Sequence, residues 1–204
     1  MKSLLLILSV LFAVFCISCT ETIVPEVTEK TVTNENVSEN EQYRYYSFET
    51  DQFILASEAT STKWDMRLPA IQQLGKSRTI DIVFNSSNVN SIGEIVGGMR
   101  NQPYSFVKDF DGIFNPDNLL DTSKRIINPY VLGSTENLYF QYSQTIVIPN
   151  PNKTVVLKLS NSTTPTWVKL QILSLYKNNP IAPVFTDSLS FYTFRYTKTK
   201  GSKF

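Results

Sequence analysis

The stretch Phe191-Tyr192-Thr193-Phe194-Arg195-Tyr196 decides how this chain folds. Aromatic side chains stand at positions 192, 194 and 196, with a threonine and an arginine between them. Successive side chains of an extended strand point to opposite faces, so this spacing gives one aromatic face and one polar face. The stretch therefore predicts a β-strand that buries its aromatic face in a core.

The same alternation recurs along the chain. Thr154–Leu159 has apolar residues at every second position, and residues 168–172 and 78–84 repeat the pattern. Shorter β-like segments lie at 43–48, 53–56 and 63–68, separated by Asn, Pro, Gly and Ser. One weak helical candidate, at 91–96, contains a glycine and is followed by two more, and glycine disfavours helix. These patterns predict an all-β domain built from antiparallel sheets.

The amino-acid composition excludes several classes of function. The chain has 204 residues, 42% of them hydrophobic, which suffices for one sizeable core. It contains no histidine, which excludes Ser-His-Asp and Cys-His nucleophiles, His-ligated zinc and imidazole acid–base catalysis. Nineteen basic residues against eighteen acidic ones give a nearly neutral chain, which argues against nucleic acid as a partner. We therefore expect a protein that is not an enzyme.

The N-terminal sequence has the pattern of an export signal. A positive Met1-Lys2 precedes an apolar run at 3–15 that is too short for a transmembrane helix, which needs roughly 20 residues. Ser18-Cys19 then resembles the lipobox of bacterial lipoproteins, in which the cysteine becomes the lipid-bearing first residue. We expect residues 1–18 to be a lipoprotein signal peptide and Cys19 to carry the lipid that anchors the chain to a membrane. The alternative is an ordinary secretory signal.

Residues 19–42 are acidic and contain no aromatic side chain, so they are expected to be a lipidated N-terminus and flexible tether. Within them, Lys30-Thr31-Val32-Thr33 is a candidate edge strand. The β domain is expected to span residues 43–204, with Met66, which stands beside Trp64 in a strand-like run, in its core. The basic residues at 195, 198, 200 and 203 predict a small solvated tail at its end.

Two acidic motifs offer weak candidate chemistry. Asp109-Phe110-Asp111-Gly112 resembles the start of a calcium loop, but Ile113 and Leu120 occupy positions that need oxygen ligands. Asp109 and Asp111 are also candidates for a carboxylate-based hydrolase, although no second acidic cluster supports one. A polar turn between strands is the favoured interpretation.

Two other residues are candidate iron ligands. Met99 in a glycine turn is a candidate thioether ligand for haem iron, and Tyr142 is a candidate phenolate ligand. The alternatives are a gap-filling methionine and an aromatic side chain at the rim of a sheet. Tyr142 follows Glu136-Asn137-Leu138-Tyr139-Phe140-Gln141, which matches by chance the recognition sequence of tobacco etch virus protease.

The chain resembles the HmuY-like haem-binding lipoproteins of the Bacteroidota. The features that carry the resemblance are the lipobox-like cysteine and, in order, Lys30-Thr31-Val32-Thr33, Tyr45-Tyr46-Ser47-Phe48-Glu49, Lys63-Trp64-Asp65-Met66-Arg67-Leu68, Val168-Lys169-Leu170-Gln171-Ile172 and Phe191-Tyr192-Thr193-Phe194-Arg195-Tyr196. The resemblance implies an all-β domain, lipid-anchored at the outer membrane or exposed at the surface, that captures haem and passes it to an outer-membrane receptor.

The resemblance also bears on the ligands. The best-known member holds the iron between two histidines, and this chain has none. The segment after Phe140 resembles the stretch that carries one of those ligands, which implies that Gln141 and Tyr142 lie near the site. The other ligand is expected in the loop after Asp111. Tyr142 is thus the first candidate axial ligand of haem or a related porphyrin, and Met99 the second. The alternative function is a surface module that binds a protein or glycan partner without haem.

Overall fold

The computed structural model describes residues 28–71, 82–85, 101–107, 111, 126–127, 140–143, 146–149, 154–159 and 166–200. Its strands are β1 (Thr28–Asn36), β2 (Tyr43–Ser47), β3 (Gln52–Ile54), β4 (Met66–Pro69), β5 (Ile82–Phe84), β6 (Asn101–Val107), β7 (Ile126–Ile127), β8 (Phe140–Ser143), β9 (Ile146–Pro149), β10 (Thr154–Leu159), β11 (Thr166–Tyr176) and β12 (Leu189–Lys200). A 3₁₀ turn covers Ala56–Glu58. Within these residues, no helix has the length and apolar character needed to cross a membrane.

The strands form two five-stranded sheets and one hairpin. The first sheet has the order β1-β12-β11-β10-β6, and the second has the order β3-β2-β4-β5-β7. Strands β8 and β9 pair only with each other among the described residues. Every pairing is antiparallel. The prediction of an all-β fold made of antiparallel sheets is confirmed.

The core lies between the inner faces of the two sheets. The alternating aromatic residues of β12 are fully buried there, as are those apolar residues of β10 and β11 that share their face. The second sheet contributes Tyr46, Phe48, Met66 and Leu68 to the same cluster. Trp64 is also fully buried, but it packs with Tyr45 in a separate small cluster. The predicted burial of Met66 is confirmed.

The outer face of the first sheet is also buried. Trp167, Thr197 and Thr199 point away from the core residues that neighbour them in sequence, yet they are only 1%, 2% and 1% exposed. Even Lys169, in the middle of β11, is 7% exposed. The alternating pattern of polar residues would suggest a solvated face here. Polar side chains on a strand therefore do not by themselves identify a wet surface.

Three details differ from the sequence-based expectations. The sheet begins at Thr28, because β1 pairs with β12 along nearly its whole length, whereas the β domain was expected to begin at residue 43. The candidate strand at 53–56 ends at Ile54 and continues as the 3₁₀ turn. Arg195 and Lys198 are not part of a frayed tail, because both lie inside β12 and form ion pairs. The helical candidate at 91–96 lies outside the described residues.

The register of β1 and β12 defines two ends of the molecule. Thr28 pairs with Lys198 at one end, and Asn36 pairs with Phe191 at the other. We call the first the entry end, because the chain enters the sheet there. We call the second the loop end, because it carries the β11–β12 connection at residues 177–188. The residues of β12 from Leu189 to Lys198 separate the two ends by about 30 Å.

Candidate functional site

Tyr142 lies in the β8–β9 hairpin. Gln144 and Thr145 alone separate the two strands, and two-residue connections are the commonest in hairpins. The register pairs Tyr142 with Val147 and Ser143 with Ile146. The backbone of the first candidate ligand is therefore held in a paired strand, one residue before that strand ends.

A hydrogen bond ties this hairpin to the first sheet. The backbone N–H of Val147 donates to the hydroxyl oxygen of Tyr176 over 3.0 Å. Tyr176 is the last residue of β11 and is 3% exposed, and Val147 is 4% exposed within the main core cluster. Burial shields the bond from water, so it fixes where the hairpin, and Tyr142 with it, stands against β11.

The donor type at position 142 fits ferric haem. A tyrosine phenolate is one of the ligand types that proteins use for haem iron. Met99, Cys19 and residues 112–125 lie outside the described residues, so of the two candidate ligands the structure places only Tyr142. Asp111 is exposed and has its Oδ1 3.7 Å from Nη1 of Arg195. Among the described residues, no three His, Cys, Asp or Glu side chains are grouped to hold a metal ion.

A second polar feature, which the sequence did not predict, is centred on Asp51 in the turn after β2. Its Oδ1 accepts hydrogen bonds of 2.6 Å from the hydroxyl of Tyr196 and from Nζ of Lys198. Its Oδ2 pairs with Nζ of Lys30. The hydroxyls of Tyr196 and Tyr46 are 2.8 Å apart. We call these five residues the Asp51 cluster; they join strands β1 and β12 of the first sheet to strand β2 of the second.

The electrostatics of the Asp51 cluster favour a structural role. Burial raises the pKa of Asp51, but hydrogen bonds from Lys198, Lys30 and Tyr196 and the charge of Lys198 outweigh burial and leave that pKa below its ordinary value. Burial, followed by the hydrogen bonds to Asp51 and Tyr46, raises the pKa of Tyr196 far above the ordinary value of a phenol. Burial also raises the pKa of Tyr46. Both phenols therefore stay neutral. Tyr196 donates its hydrogen bond to the ionised carboxylate of Asp51, and Tyr46 is hydrogen-bonded to the Tyr196 hydroxyl.

A small cleft lies at the loop end. Its volume is about 210 Å³, and it is lined by Asn36, Val37, Ser38, Glu39, Ile71, Ser188, Leu189 and Ser190. Ligand pockets for drug-sized molecules usually measure about 300–1,000 Å³, so the cleft is too small for a porphyrin. Ser190 stands in the left-handed region with φ of 69°. Its hydroxyl donates to the carbonyl of Ile71 and accepts from the N–H of the same residue.

The β11–β12 loop, which contributes Ser188 to this cleft, exposes three apolar side chains. Ile181 is fully exposed, Val184 is 53% exposed and Phe185 is 52% exposed. The predicted strand pattern does not include this feature. Its one signal is that Pro180-Ile181-Ala182-Pro183-Val184-Phe185 is apolar yet contains two prolines and no strand alternation. Such a segment cannot join a ladder as a central strand, so its apolar residues have no sheet face to pack against.

Comparison with known proteins yields one structural similarity. No family model matches the chain, and no curated protein matches it. A solved structure that it resembles is the apo HmuY analog of Tannerella forsythia, at 13% sequence identity and a TM-score of 0.41, over 86% of this chain and 98% of that one. That protein is of the kind that the sequence motifs resemble.

Proposed function

We propose that this chain is a non-enzymatic surface lipoprotein that binds haem or a related porphyrin for iron acquisition. The observation that carries the proposal is the position of Tyr142 in a hairpin that the Val147–Tyr176 hydrogen bond fixes against the main sheet. The ordered series of motifs from Lys30 to Tyr196 supports it, because those motifs resemble the HmuY-like haem-binding lipoproteins.

The proposed site combines a phenolate ligand with apolar burial. The Tyr142 oxygen is the first candidate axial ligand, and the thioether of Met99 is the second. A porphyrin exposes a large apolar surface, and burying that surface contributes about 25 cal/mol per Å² irrespective of the ligand. Because a hard anionic oxygen prefers the more highly charged iron, ligation by Tyr142 favours ferric over ferrous haem.

The proposed location follows from the N-terminus. Lipid on Cys19 anchors the chain at the outer membrane, and the segment before Thr28 links the anchor to the entry end of the domain. An outer-membrane haem receptor is the proposed recipient of the captured haem. Nucleic acid is not a proposed partner, because the chain is nearly neutral.

The variant Tyr142→Phe tests the ligand assignment. Removing the phenolate oxygen is expected to weaken hemin affinity at least tenfold and to shift the visible absorption bands of the ferric complex. Tyr43→Phe is the matched control, because Tyr43 packs against Arg67 in the second sheet, away from the hairpin, and should leave the spectrum unchanged. If Tyr142→Phe keeps the wild-type spectrum and Met99→Leu alters it, the assignment of Tyr142 is wrong and Met99 is the ligand.

The second candidate function is a surface module that binds a protein or glycan partner without haem. The exposed apolar loop between β11 and β12 favours this candidate, because exposed apolar clusters mark interaction sites. A chain that gives no saturable hemin complex would support this function over haem capture.

A further inference from the structure

We propose that the loop end of the molecule is a docking surface for a second protein, one that offers an apolar groove beside a basic side chain. The apolar part of this surface is formed by Ile181, Val184 and Phe185. The acceptor of the basic side chain is the cleft at the same end, which Glu39 and Ser188 line. The proposal does not depend on haem binding, because none of these residues belongs to the Tyr142 hairpin.

The loop is held in place by a set of hydrogen bonds at its base and tip. At the base, Lys177 N–H donates to the carbonyl of Ser188 over 2.9 Å, and Asn178 N–H donates to Oδ1 of Asn34 over 2.8 Å. At the tip, Val184 N–H donates to Oδ2 of Asp187 over 2.7 Å. Two prolines further restrict the backbone. An apolar tip fixed in the exposed state loses little conformational entropy on docking.

The position of the surface suits a partner that stands away from the N-terminus. The β1 strand enters the sheet at the entry end, and the loop lies about 30 Å away along β12. The segment that precedes β1 therefore joins the domain at the opposite end. The apolar tip is therefore accessible to a macromolecule that approaches the loop end.

The charges of the surface specify the chemistry of the partner. Glu39 is exposed in the cleft, and no ion pair neutralises it among the described residues. The only basic side chain of the loop is Lys177, and its ammonium group lies 5.6 Å from the centre of the Phe191 ring. Serine hydroxyls line the rest of the polar wall. A lysine or arginine side chain complements this acidic, hydroxyl-lined cleft.

Two other occupants fit less well. Loops that insert into bilayers usually carry several basic residues for anionic headgroups, and this loop carries one. A second copy of the chain would offer the cleft another acidic surface rather than a basic side chain. It would also bring two Glu39 carboxylates to one interface, and like charges placed together disfavour association.

Photo-crosslinking in the cells that naturally make this chain tests the proposal. Benzoylphenylalanine replaces Phe185 in the full-length chain, and in a matched control it replaces Leu55, which is 74% exposed and lies outside the loop. Irradiation is expected to join position 185, and not position 55, to one other protein. Introducing Glu39→Arg should abolish this adduct, whereas Glu58→Arg, a charge reversal outside the loop and the cleft, should preserve it.

The partner identified in this way is then purified and its affinity measured. Phe185→Ser and Glu39→Arg should each weaken the affinity for this partner at least tenfold. Added salt should weaken the affinity of the partner for the wild-type chain more than its affinity for the Glu39→Gln variant. The absence of an adduct, equal adducts from both positions, or an adduct with a second copy would overturn the proposal. Binding to phosphatidylethanolamine–phosphatidylglycerol vesicles would also overturn the proposal if Phe185→Ser abolishes that binding. An adduct that survives Glu39→Arg would overturn the role assigned to the basic side chain of the partner.

Discussion

At the scale of single residues, Asp51 is the carboxylate that joins the two sheets. It receives hydrogen bonds from Tyr196 and Lys198, which lie 145 and 147 residues further along the chain. Lys30 pairs with it from the edge strand. Its backbone has φ of 58°, in the region that asparagine and aspartate enter more easily than most residues. One short side chain thus connects β1, β12 and the turn after β2.

The substitution Asp51→Asn should lower the free energy of unfolding at pH 7 by about 1–3 kcal/mol, because it leaves partly buried cations facing a neutral amide. The pKa of Asp51 is lowered in the folded state, so its stabilising contribution is fully present above the unfolded value of about 3.9. That contribution is lost as the pH falls through the folded value. The difference between wild type and Asp51→Asn should therefore shrink in acid, which urea unfolding at pH 7 and pH 3 would measure.

The control for this prediction is Glu58→Gln. Glu58 pairs with Lys63 at the surface, and the Lys63 side chain is 64% exposed. Exposed ion pairs of this kind contribute little, so this variant should change the free energy of unfolding by less than about 0.5 kcal/mol. Equal losses from both variants, or a loss at Asp51 that does not depend on pH, would contradict the role assigned to the cluster.

At the scale of elements, the β8–β9 hairpin depends on its contact with β11. Tyr176→Phe removes the acceptor of the buried Val147 N–H, which costs about 1–2 kcal/mol. This should raise the population of hairpin opened from β11 by a factor of about 5–30. The protease recognition sequence at 136–141 provides the measurement, because cleavage after Gln141 requires β8 to leave its partner strand.

Digestion by tobacco etch virus protease should therefore be slow in the wild type and faster in Tyr176→Phe. Tyr43→Phe provides the control, since it removes a hydroxyl from the second sheet and should leave the cleavage rate at the wild-type value. Rapid cleavage of the wild-type chain would show that the hairpin is not held in the paired form that positions Tyr142.

The same elements show how far the sequence predicts this fold. Thr154–Leu159 was predicted with its observed bounds, because one face is buried and alternation records that burial directly. β1 was only partly identified, since an edge strand with Glu29, Lys30 and Glu35 has the composition of a tether. The Asp51 cluster and the apolar loop were missed. The contacts of the Asp51 cluster join residues that are far apart in sequence. The exposure of the apolar loop depends on the folded structure, and no local sequence pattern encodes it.

At the scale of the whole molecule, the domain has two distinct ends. The expected lipid anchor joins it at the entry end, and the exposed apolar loop lies at the other. The hairpin with Tyr142 is attached to the last residue of β11, Tyr176, which pairs with Leu189 near the loop end. The proposed ligand site and the proposed docking surface therefore both stand away from the membrane attachment.

The anchor itself makes a prediction at this scale. Cys19→Ser should abolish incorporation of labelled palmitate and move the chain from the membrane fraction to the soluble fraction, because the thiol that carries the lipid is lost. Cys16→Ser is the matched control, as it changes the other cysteine within the expected signal peptide and should keep the label. Labelling that persists in Cys19→Ser would contradict lipidation at this residue.

The central claim is that the domain binds haem, and titration of hemin into residues 20–204 tests it most directly. The absorption spectrum is recorded near the Soret band, in the ferric state and after reduction. We predict a sharp band that saturates at one equivalent of hemin, has the position expected of tyrosinate ligation in the ferric state, and changes strongly on reduction. A broad band that never saturates and matches free hemin in buffer would contradict the claim.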